Sequence, residues 1–280
     1  MDQKGIKYYF LGIGGIGMSS LAKYLFDKGF NVMGYDKTPS NNTSKLVQSG
    51  ISILFDDEVE LIPSDFNKEN TQVIYTPAIP KDHAQYNYFI DKGFSIKKRA
   101  VLLGEITKDS IVFAIAGTHG KTTTASFLSH LFKYANLDYT AFLGGVLNSD
   151  NSNLINRGNK YTIVEADEYD RSFLQLFPDY GCITSIDPDH LDIYVDHSEM
   201  KKAFNDFSKK ISQKLILASE LEIEGLTYAV EKKATYYGSN IRVNQGGYYF
   251  DFNTPDKKFK DVYLNLIGKH NLSNAIGAAS

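Results

Sequence analysis

The chain alternates between short apolar runs and longer segments in which apolar residues recur at helical spacing. Residues 6–13 form the first apolar run, and residues 18–26 follow with their apolar residues on one helical face. Residues 31–35 form a second run. Strands that alternate with helices in this way predict an α/β fold, because neighbouring parallel strands need a long crossover, usually a helix, between them.

The same alternation continues along the chain and predicts two domains, residues 1–106 and 107–280. We expect strands at 51–55, 72–76, 95–98, 111–115, 139–143, 161–164, 181–186 and 214–218, and helices at 43–48, 82–92, 99–107, 123–134 and 198–211. Residues 234–267 are typical of further β-structure, whereas residues 148–160 are polar and predict a loop. The order of elements makes the first domain Rossmann-like and gives the second a mainly parallel sheet.

Composition narrows the function classes only slightly. Hydrophobic residues make up 42% and charged residues 22% of the 280 positions, as in an ordinary globular protein. The net charge of −3 does not indicate a general nucleic-acid binder, and no apolar run reaches the ~18 residues that span a bilayer. The single cysteine, Cys182, lies in an apolar run and excludes a disulfide framework. We therefore expect a buried free thiol and a reducing, cytoplasmic setting.

The strongest chemical motif is residues 116–124, between the apolar run at 111–115 and a helical segment. A strand, a glycine-containing loop and a helix form a phosphate cradle, because loop N–H groups and the helix N-terminus face the anion. Lys121 would reach the terminal phosphates and Thr122 would ligate Mg²⁺. Ile115 stands where the strict pattern has a glycine, so the motif is either a shortened variant or an ordinary turn with a chance Gly-Lys-Thr. The variant makes the second domain P-loop ATPase-like.

A second glycine-rich turn, Gly12-Ile13-Gly14-Gly15-Ile16-Gly17, joins the first predicted strand to the first helix. Its glycines permit a tight turn and the close approach of a diphosphate, and Asp36, at the end of the next strand, can hold a ribose hydroxyl. The motif indicates a nucleotide diphosphate without showing which one. A tight turn that binds nothing would give the same pattern.

Two further features of the first domain lie where ligands bind in α/β sheets. The strand at 72–76 runs into Thr76-Pro77-Ala78-Ile79-Pro80, so Thr76 and the Ala78 amide can face the same ligand, although a plain proline-rich turn is the simpler explanation. Arg99 ends the basic run at 97–99 near the domain boundary. Such a run usually forms a solvated face, and Arg99 is its one candidate phosphate ligand.

Two predicted strands of the second domain end in acidic segments. Glu165 follows the run at 161–164 and either holds Mg²⁺, as a Walker B carboxylate does, or belongs to a solvated charged loop. His190, flanked by Asp189 and Asp192, is a candidate metal or phosphate ligand, or else a structural histidine. Because parallel strands end at one edge of their sheet, we expect Glu165, His190 and the phosphate loop to converge.

Together these motifs resemble the Mur ligases, the ATP-dependent amide-forming enzymes of peptidoglycan synthesis. The resemblance covers all 280 residues and rests on motifs at 12–19, 76–80, 117–123, 165–168, 189–192 and 270–275, in family order. It explains the shortened phosphate loop, since Gly-Thr-His-Gly-Lys-Thr is the family form. The glycine-rich start and the Glu-Ala-Asp-Glu run resemble the members that add L-alanine, whereas the Glu-Tyr-Asp continuation also resembles the members that recycle murein peptides.

The resemblance implies a role for each candidate residue. The first loop would hold the diphosphate of a UDP-sugar, and the UDP-sugar residues would be Gly12, Gly14, Gly15, Ile16, Gly17, Met18, Asp36, Thr76, Ala78 and Arg99. The ATP-binding residues would be Gly117, Thr118, His119, Gly120, Lys121, Thr122, Thr123, His270, Asn271 and Asn274, the two asparagines lying near the adenine. The catalytic residues would be Lys121, Glu165 and His190, and Mg²⁺ would be held by Thr122, Glu165 and His190.

The implied reaction joins L-alanine to the lactyl carboxylate of UDP-N-acetylmuramate through an acyl phosphate made from ATP. Mg²⁺ and Lys121 would screen the repulsion between the two anionic reactants. His119 would contact the carboxylate or a phosphate, or else stabilise the turn. Family members also have a third, C-terminal domain, which we expect to lie outside these 280 residues, so we expect the 280 residues to be inactive alone.

Three other interpretations stay open. They are a murein-peptide recycling ligase, a UDP-sugar- and ATP-binding fragment without activity, and an NAD-dependent oxidoreductase, which would leave the second loop unexplained. We expect no nucleic-acid partner and no membrane insertion, and the sequence does not predict the oligomeric state.

Overall fold

The computed structural model describes residues 5–147, 150–187, 197–244 and 246–280. The chain forms two compact units, of which the first comprises residues up to Ile106 together with Gly144–Leu154, and the second comprises Thr107–Leu143 and Ile155–Ser280. The segment Gly144–Leu154, which was predicted to belong to the second domain, groups with the first unit. Its side chains explain why, because Asn153 Nδ2 donates to the carbonyl of Ile16, at the start of the first helix.

The first unit is built on a parallel sheet. Its strands are β1 (Lys7–Leu11), β2 (Asn31–Tyr35), β3 (Ser52–Leu54), β4 (Thr71–Tyr75) and β5 (Ser95–Lys98). They lie side by side in the order β3-β2-β1-β4-β5, with β2 and β4 flanking β1 in parallel register. The helices of this part of the chain are α1 (Ile16–Asp27), α2 (Asn41–Gln48), α3 (Ala84–Asp91) and α4 (Arg99–Thr107), with a 3-10 turn at Val59–Leu61.

The middle strand β1 is buried on both faces. Tyr9, Phe10 and Leu11 are each 0% exposed, which is typical of a parallel strand covered by helices on either side. Tyr9 packs against Phe66 and Phe89, and its hydroxyl donates to Gln85 Oε1 at 2.8 Å, so the one polar atom of this buried ring is satisfied. The core thus fixes the strand whose C-terminal end carries the first glycine loop.

The larger sheet carries the second predicted loop. Its strands are β6 (Ile111–Ala116), β7 (Tyr139–Leu147), β8 (Ser152–Asn156), β9 (Tyr161–Glu165), β10 (Tyr180–Ile183), β11 (Lys214–Ala218), β12 (Leu226–Val230), β13 (Tyr236–Asn244), β14 (Gly247–Asn253) and β15 (Lys258–Leu264). Across the described part of the chain the order is β15-β14-β13-β12-β11-β10-β6-β9-β7-β8. The pairs from β13 to β7 are parallel, whereas β13–β14 and β14–β15 are antiparallel.

Three α-helices of the described residues accompany this sheet: α5 (Lys121–Tyr134), α6 (His197–Ser208) and α7 (Lys269–Ala279), with a 3-10 helix at Tyr169–Gln175. Within the described residues, no helix is both long enough and apolar enough to cross a membrane. Cys182 is buried in β10 with a free thiol, as predicted, and burial raises the pKa of this thiol to about 12.

The predicted α/β fold, with mainly parallel pairing in both sheets, is confirmed. The prediction of a loop across residues 148–160 is wrong, because Ser152–Asn156 forms β8. Only Leu154 and Ile155 are apolar there, and the strand is the last in its sheet, so it lacks the continuous apolar run of a central strand.

Candidate functional site

The phosphate-type loop, residues 117–120, connects β6 to α5. Strand β6 lies between β9 and β10, so Ile115 pairs with Glu165 on one side and Ala116 pairs with Ile183 on the other. The C-terminal ends of three parallel strands therefore meet at one edge of the sheet. The loop and Glu165 converge there, whereas His190 lies outside the described residues.

Glycine is required at two positions of this loop. Gly117 has φ 137° and Gly120 has φ 82°, both in the region that favours glycine. A Cβ atom at Gly117 would lie 2.1 Å from Thr184 Oγ1, and one at Gly120 would lie 2.5 Å from Asn274 Oδ1. The loop therefore packs tightly against the segment after β10 and against α7.

The start of α5 is suited to an anion. Gly120 occupies the N-cap position, and no side chain of the described residues caps this helix. Its first N–H groups lack intrahelical acceptors, and the helix dipole adds partial positive charge at the same end. By contrast, α2 begins with a capping box in which Ser40 and Thr43 satisfy each other's backbone N–H groups. Of these two helix starts, only that of α5 leaves its N–H groups for a ligand.

Two hydroxyl side chains after β10 hold the loop in shape. Thr184 Oγ1 lies within hydrogen-bond distance of the carbonyls of Ala116 and His119, which share its single proton. Ser185 Oγ accepts the N–H of His119 at 2.9 Å and lies 2.9 Å from Thr118 Oγ1. Sequence reasoning missed both residues, although their position after a buried strand, next to the loop strand, was a usable signal.

His119 takes part in this arrangement through its backbone. Its side chain is 69% exposed, and Nε2 lies 4.0 Å from Asp187 Oδ2. Thr118 is buried, and its hydroxyl accepts the N–H of Asp187 at 3.0 Å. The backbone of His119 therefore stabilises the turn, and the prediction of a ligand contact for its imidazole remains a prediction.

Two side-chain pairs lie at the end of the loop, where α5 begins. Lys121 Nζ donates to the carbonyl of Gly117 and to Glu168 Oε1 at 2.9 Å, and it lies 2.8 Å from Glu168 Oε2. Thr122 Oγ1 donates to Glu165 Oε2 at 2.8 Å. Glu168 is 0% exposed and was not among the predicted site residues, because an acidic run after a strand reads as a solvated loop. The Glu-Ala-Asp-Glu run thus places one carboxylate on the hydroxyl and another on the lysine.

The Thr122–Glu165 pair fits a magnesium ion. A hydroxyl and a carboxylate are hard oxygen ligands, and their 2.8 Å separation allows both to reach one ion. No group of three or more His, Cys, Asp or Glu side chains that could hold a metal occurs among the described residues. Mg²⁺ usually takes one or two carboxylates and completes its shell with substrate phosphates and water. The pair therefore suits a metal that arrives with a nucleotide.

The start of α7 brings one of its three predicted residues to the loop. Asn274 is 8% exposed and faces Gly120, as the close approach of its Oδ1 shows. Asn271 donates its side-chain amide to the carbonyl of Ile267 at 2.8 Å, and His270 is exposed. Thr123 lies part-buried in the first turn of α5. The adenine contacts stay predictions.

The glycine loop of the first unit is held by Asp36. Its Oδ2 accepts the N–H of Gly14 at 2.7 Å, and Asn42 Nδ2 donates to the carbonyl of Gly14 at 2.9 Å. Gly12 has φ 82°. Asp36 was predicted at this loop, and its carboxylate shapes the turn itself, whereas a contact to a ribose stays a prediction.

Thr76 and Arg99 also reach this loop. A Cβ at Gly12 would lie 3.2 Å from Thr76 Cγ2, and one at Gly17 would lie 2.7 Å from Arg99 Nη1. The end of β4 and the start of α4 therefore border the turn, and Arg99 supplies a positive charge beside the start of α1. Helix α1, like α5, begins after a glycine, Gly15, with no side-chain cap among the described residues.

The other predicted residues of this loop differ in exposure. Gly15, Ile16 and Ala78 are exposed, whereas Met18 is 2% exposed and packs in the core. A ligand would therefore meet Met18 through its backbone N–H in the first turn of α1, not through its side chain.

Family models match both halves of the chain. Residues 7–110 match the model described as the Mur ligase family, catalytic domain, and residues 115–280 match the Mur ligase middle domain. The chain belongs to the Mur ligase family. The resemblance of its motifs to this family, and the α/β fold that it implied, are confirmed.

Individual relatives carry a more specific name. UDP-N-acetylmuramate–L-alanine ligase of Flavobacterium psychrophilum is 51% identical over 270 residues, which cover 96% of this chain and 60% of that protein. The protein of the same name in Parabacteroides distasonis is 44% identical, over 96% of this chain and 61% of its own length. The solved UDP-N-acetylmuramate–alanine ligase of Thermotoga maritima has a TM-score of 0.87 at 28% identity, over 98% of this chain and 64% of that one. The chain thus spans about 60% of the length of these curated relatives.

Proposed function

We propose that this chain binds UDP-N-acetylmuramate and Mg·ATP in an ATP-dependent ligase that joins L-alanine to the lactyl carboxylate of the sugar. The observation that carries the proposal is the pairing of Lys121 with Glu168 and of Thr122 with Glu165 at an uncapped helix start. The relatives at 51% and 44% identity supply the substrate class through their names. The expected compartment is the cytoplasm.

The chemistry explains why such a site is needed. A carboxylate is a poor acylating agent, and transfer of the γ-phosphoryl group turns it into an acyl phosphate that an amine can attack. Both reactants are anions, so positive charge must lie between them. Lys121 supplies one such charge from the protein, and the N–H groups at the start of α5 supply partial ones. Mg²⁺, held by Thr122 and Glu165, would neutralise phosphate charge when it is bound.

The first unit would hold the other substrate. The turn from Gly12 to Gly17 offers backbone N–H groups at the uncapped start of α1, and Arg99 lies against Gly17. These are the groups that a diphosphate requires. A nicotinamide dinucleotide would use similar groups, but an oxidoreductase has no use for the second loop with its lysine and its hydroxyl–carboxylate pair.

A free murein tripeptide, in place of L-alanine, is the weaker choice for the second reactant. The solved murein-peptide ligase of Neisseria meningitidis shares the fold with a TM-score of 0.86 but is 20% identical, so it indicates fold and not substrate. The relatives named for L-alanine are far more similar in sequence.

Calorimetric titration of the 280-residue chain tests the proposal. We expect UDP-N-acetylmuramate to bind and NAD not to bind. We also expect Mg·AMP-PNP, a non-hydrolysable ATP analogue, to bind the wild-type chain and to bind Lys121→Ala about tenfold more weakly or worse, because a charge-assisted hydrogen bond is lost. Lys133→Ala, in the last turn of the same helix, is the matched control and should bind normally.

NAD binding without UDP-N-acetylmuramate binding would overturn the proposal, and so would a Lys121→Ala chain with wild-type affinity for the nucleotide. Binding can be tested directly on the 280-residue chain, which spans about 60% of the length of its relatives. The joining step is tested by L-alanine-dependent release of phosphate in a protein of the relatives' full length.

A further inference from the structure

The pair formed by Lys121 and Glu168 is unusual in its burial. The Glu168 side chain is 0% exposed, and the Lys121 side chain keeps 19% exposure. A carboxylate without solvent is costly unless a cation and hydrogen bonds compensate it, and both oxygens of Glu168 lie within 3 Å of the Lys121 ammonium, at 2.9 and 2.8 Å. The Lys121 ammonium thus compensates the charge of Glu168, and a nucleotide cannot touch this buried carboxylate from solvent.

The backbone around Glu168 fixes its position. Strand β9 ends at Glu165, and the next N–H, that of Ala166, donates to the carbonyl of Ile115 at 2.9 Å. After Glu168 the chain makes a turn in which Asp170 and Arg171 have positive φ, 51° and 53°, and the carbonyl of Glu168 accepts the N–H of Arg171 at 3.0 Å. Glu168 therefore lies on a segment that is anchored to the loop strand on one side and to a hydrogen-bonded turn on the other.

The hydrogen bonds of the Lys121 ammonium determine how many of its N–H donors remain for a ligand. A lysine ammonium has three N–H donors. One of them goes to the carbonyl of Gly117 and another goes to Glu168, so the third is left for the partly exposed side of the group. Two fixed acceptors on the buried side hold a flexible side chain in a single direction, which lowers the entropy that the lysine would lose on binding a phosphate.

We infer that Glu168 is a positioning residue, which holds the Lys121 ammonium across the phosphate loop so that its free N–H meets the terminal phosphates of a nucleotide. The inference rests on the proposed function, since it names how the ATP site of that function is organised. Protein kinases give a general precedent, because there the phosphate-binding lysine must be paired with a glutamate for activity.

The opposite role, a carboxylate that competes with phosphate for the lysine, does not fit the burial. A competitor would have to leave the ammonium when the nucleotide arrives, and a carboxylate that is 0% exposed has no solvent to replace the Lys121 ammonium. Glu168 lies behind the ammonium, so a phosphate that approaches from the exposed side need not displace it.

The first test needs no nucleotide. The chain and the isosteric variant Glu168→Gln are treated with an amine-acylating reagent, and modification of Lys121 is followed by mass spectrometry. We expect Lys121 to react about tenfold faster in Glu168→Gln, because the loss of the ion pair frees the ammonium. Lys209, with a side chain 76% exposed, is the internal reference, and Glu231→Gln, which breaks the exposed pair with Lys269, is the matched control variant. Equal rates at Lys121 in both chains would overturn the inference.

The second test is a double-mutant cycle on the affinity for Mg·AMP-PNP. We expect Glu168→Gln to weaken binding about tenfold in the wild-type chain and by less than about twofold when Lys121 is already alanine, because Glu168 acts through the lysine. A general loss of structure would cost the same in both backgrounds, and a competing carboxylate would make Glu168→Gln bind more tightly, so either result would overturn the inference.

The two tests separate this inference from the proposed function. If the wild-type chain binds no nucleotide, the proposed function fails, and the acylation rates still decide whether Glu168 holds Lys121. If the wild-type chain binds the nucleotide and the cycle shows no coupling, the positioning role fails and the proposed function stands. Thermal melting of each variant accompanies both tests, and the double variant should be more stable than Lys121→Ala alone, because it no longer buries a carboxylate that has lost the Lys121 ammonium.

Discussion

At the scale of single residues, the candidate magnesium site depends on one hydroxyl and one carboxylate. Thr122 Oγ1 lies 2.8 Å from Glu165 Oε2, and Glu165 ends β9, the strand beside β6. This contact joins two side chains and involves no backbone atom of the loop. One cation can therefore take both oxygens of this hydroxyl–carboxylate pair as ligands. The metal role of Thr122 then has a measurable signature, namely the dependence of nucleotide affinity on magnesium.

We expect Thr122→Val to remove most of the gain in ADP affinity that Mg²⁺ gives, because valine keeps the shape of threonine and lacks the oxygen ligand. Titration of ADP with Mg²⁺ and with excess EDTA measures that gain. Thr122→Ser, which keeps the hydroxyl, is the matched control and should retain it. A Thr122→Val chain with an undiminished magnesium effect would contradict the metal role of this hydroxyl.

A second residue-scale effect lies far from the loop, at Asp251 in β14. Lys258 lies 2.8 Å away and is the main cause that lowers the pKa of this carboxyl from 3.8 to about 2, and the Asp261 N–H and Asn240 amide add to it. Because the pKa is lower in the folded chain, Asp251 stabilises the fold above pH ~4, and this contribution is lost as the pH falls from about 4 towards 2.

Asp251→Asn should therefore lower the melting temperature at pH 7 by a few degrees, and the gap to the wild-type chain should close as the pH approaches 2. Thermal melting monitored by circular dichroism across this range measures the gap. The exposed Asp256→Asn is the control and should change little at any pH. A gap that stays constant down to pH 2 would show that the charge of Asp251 is not its cause.

At the scale of elements, the phosphate loop is shaped by the strand beside it. Gly117→Ala would place a Cβ 2.1 Å from Thr184 Oγ1 at φ 137°, so either the loop or the end of β10 must move. We expect this variant to lose nucleotide binding and to melt at a lower temperature. Gly29→Ala is a matched control, because Gly29 also has positive φ, 88°, but open space around its Cβ. If both variants bind the nucleotide equally well, the fit of the loop against β10 is not what organises the site.

The elements also show what sequence could and could not predict. Apolar runs with helical segments between them predicted the central strands, because a parallel strand buried on both faces is apolar throughout. Edge strand β8 was missed because its pattern is short and mixed. Glu168 was missed because its partner, Lys121, is 47 positions away in sequence, and only the alignment of β6 and β9 brings the two together. The motif predicted a carboxylate near the loop and could not predict which of the two acids serves the lysine.

At the scale of the whole molecule, the same strand–turn–helix arrangement occurs in both units. In each, a strand buried in a parallel sheet ends in a glycine turn, and a helix begins after it without a side-chain cap among the described residues. The surroundings differ. The first turn is bordered by Asp36, Thr76 and Arg99, and the second by Lys121, Glu165 and Glu168. An acid and a guanidinium suit a diphosphate with a ribose, whereas a lysine and a hydroxyl–carboxylate pair suit a triphosphate with a metal.

Because the two turns suit different ligands, we predict that UDP-N-acetylmuramate and the nucleotide protect different backbone amides from hydrogen exchange. Hydrogen exchange followed by mass spectrometry should show slower exchange at residues 12–18 when UDP-N-acetylmuramate is added, and at residues 117–124 when Mg·AMP-PNP is added, because each ligand satisfies the free N–H groups of one helix start. Strand β14 serves as the reference, since its amides belong to neither loop.

Protection of 12–18 by NAD and not by the UDP-sugar would restore the oxidoreductase interpretation. Protection of 117–124 by the UDP-sugar alone would mean that the triphosphate role has been assigned to the wrong loop. Lys121→Ala separates these cases further, because it should weaken the nucleotide's protection of 117–124 and leave the UDP-sugar's protection of 12–18 intact.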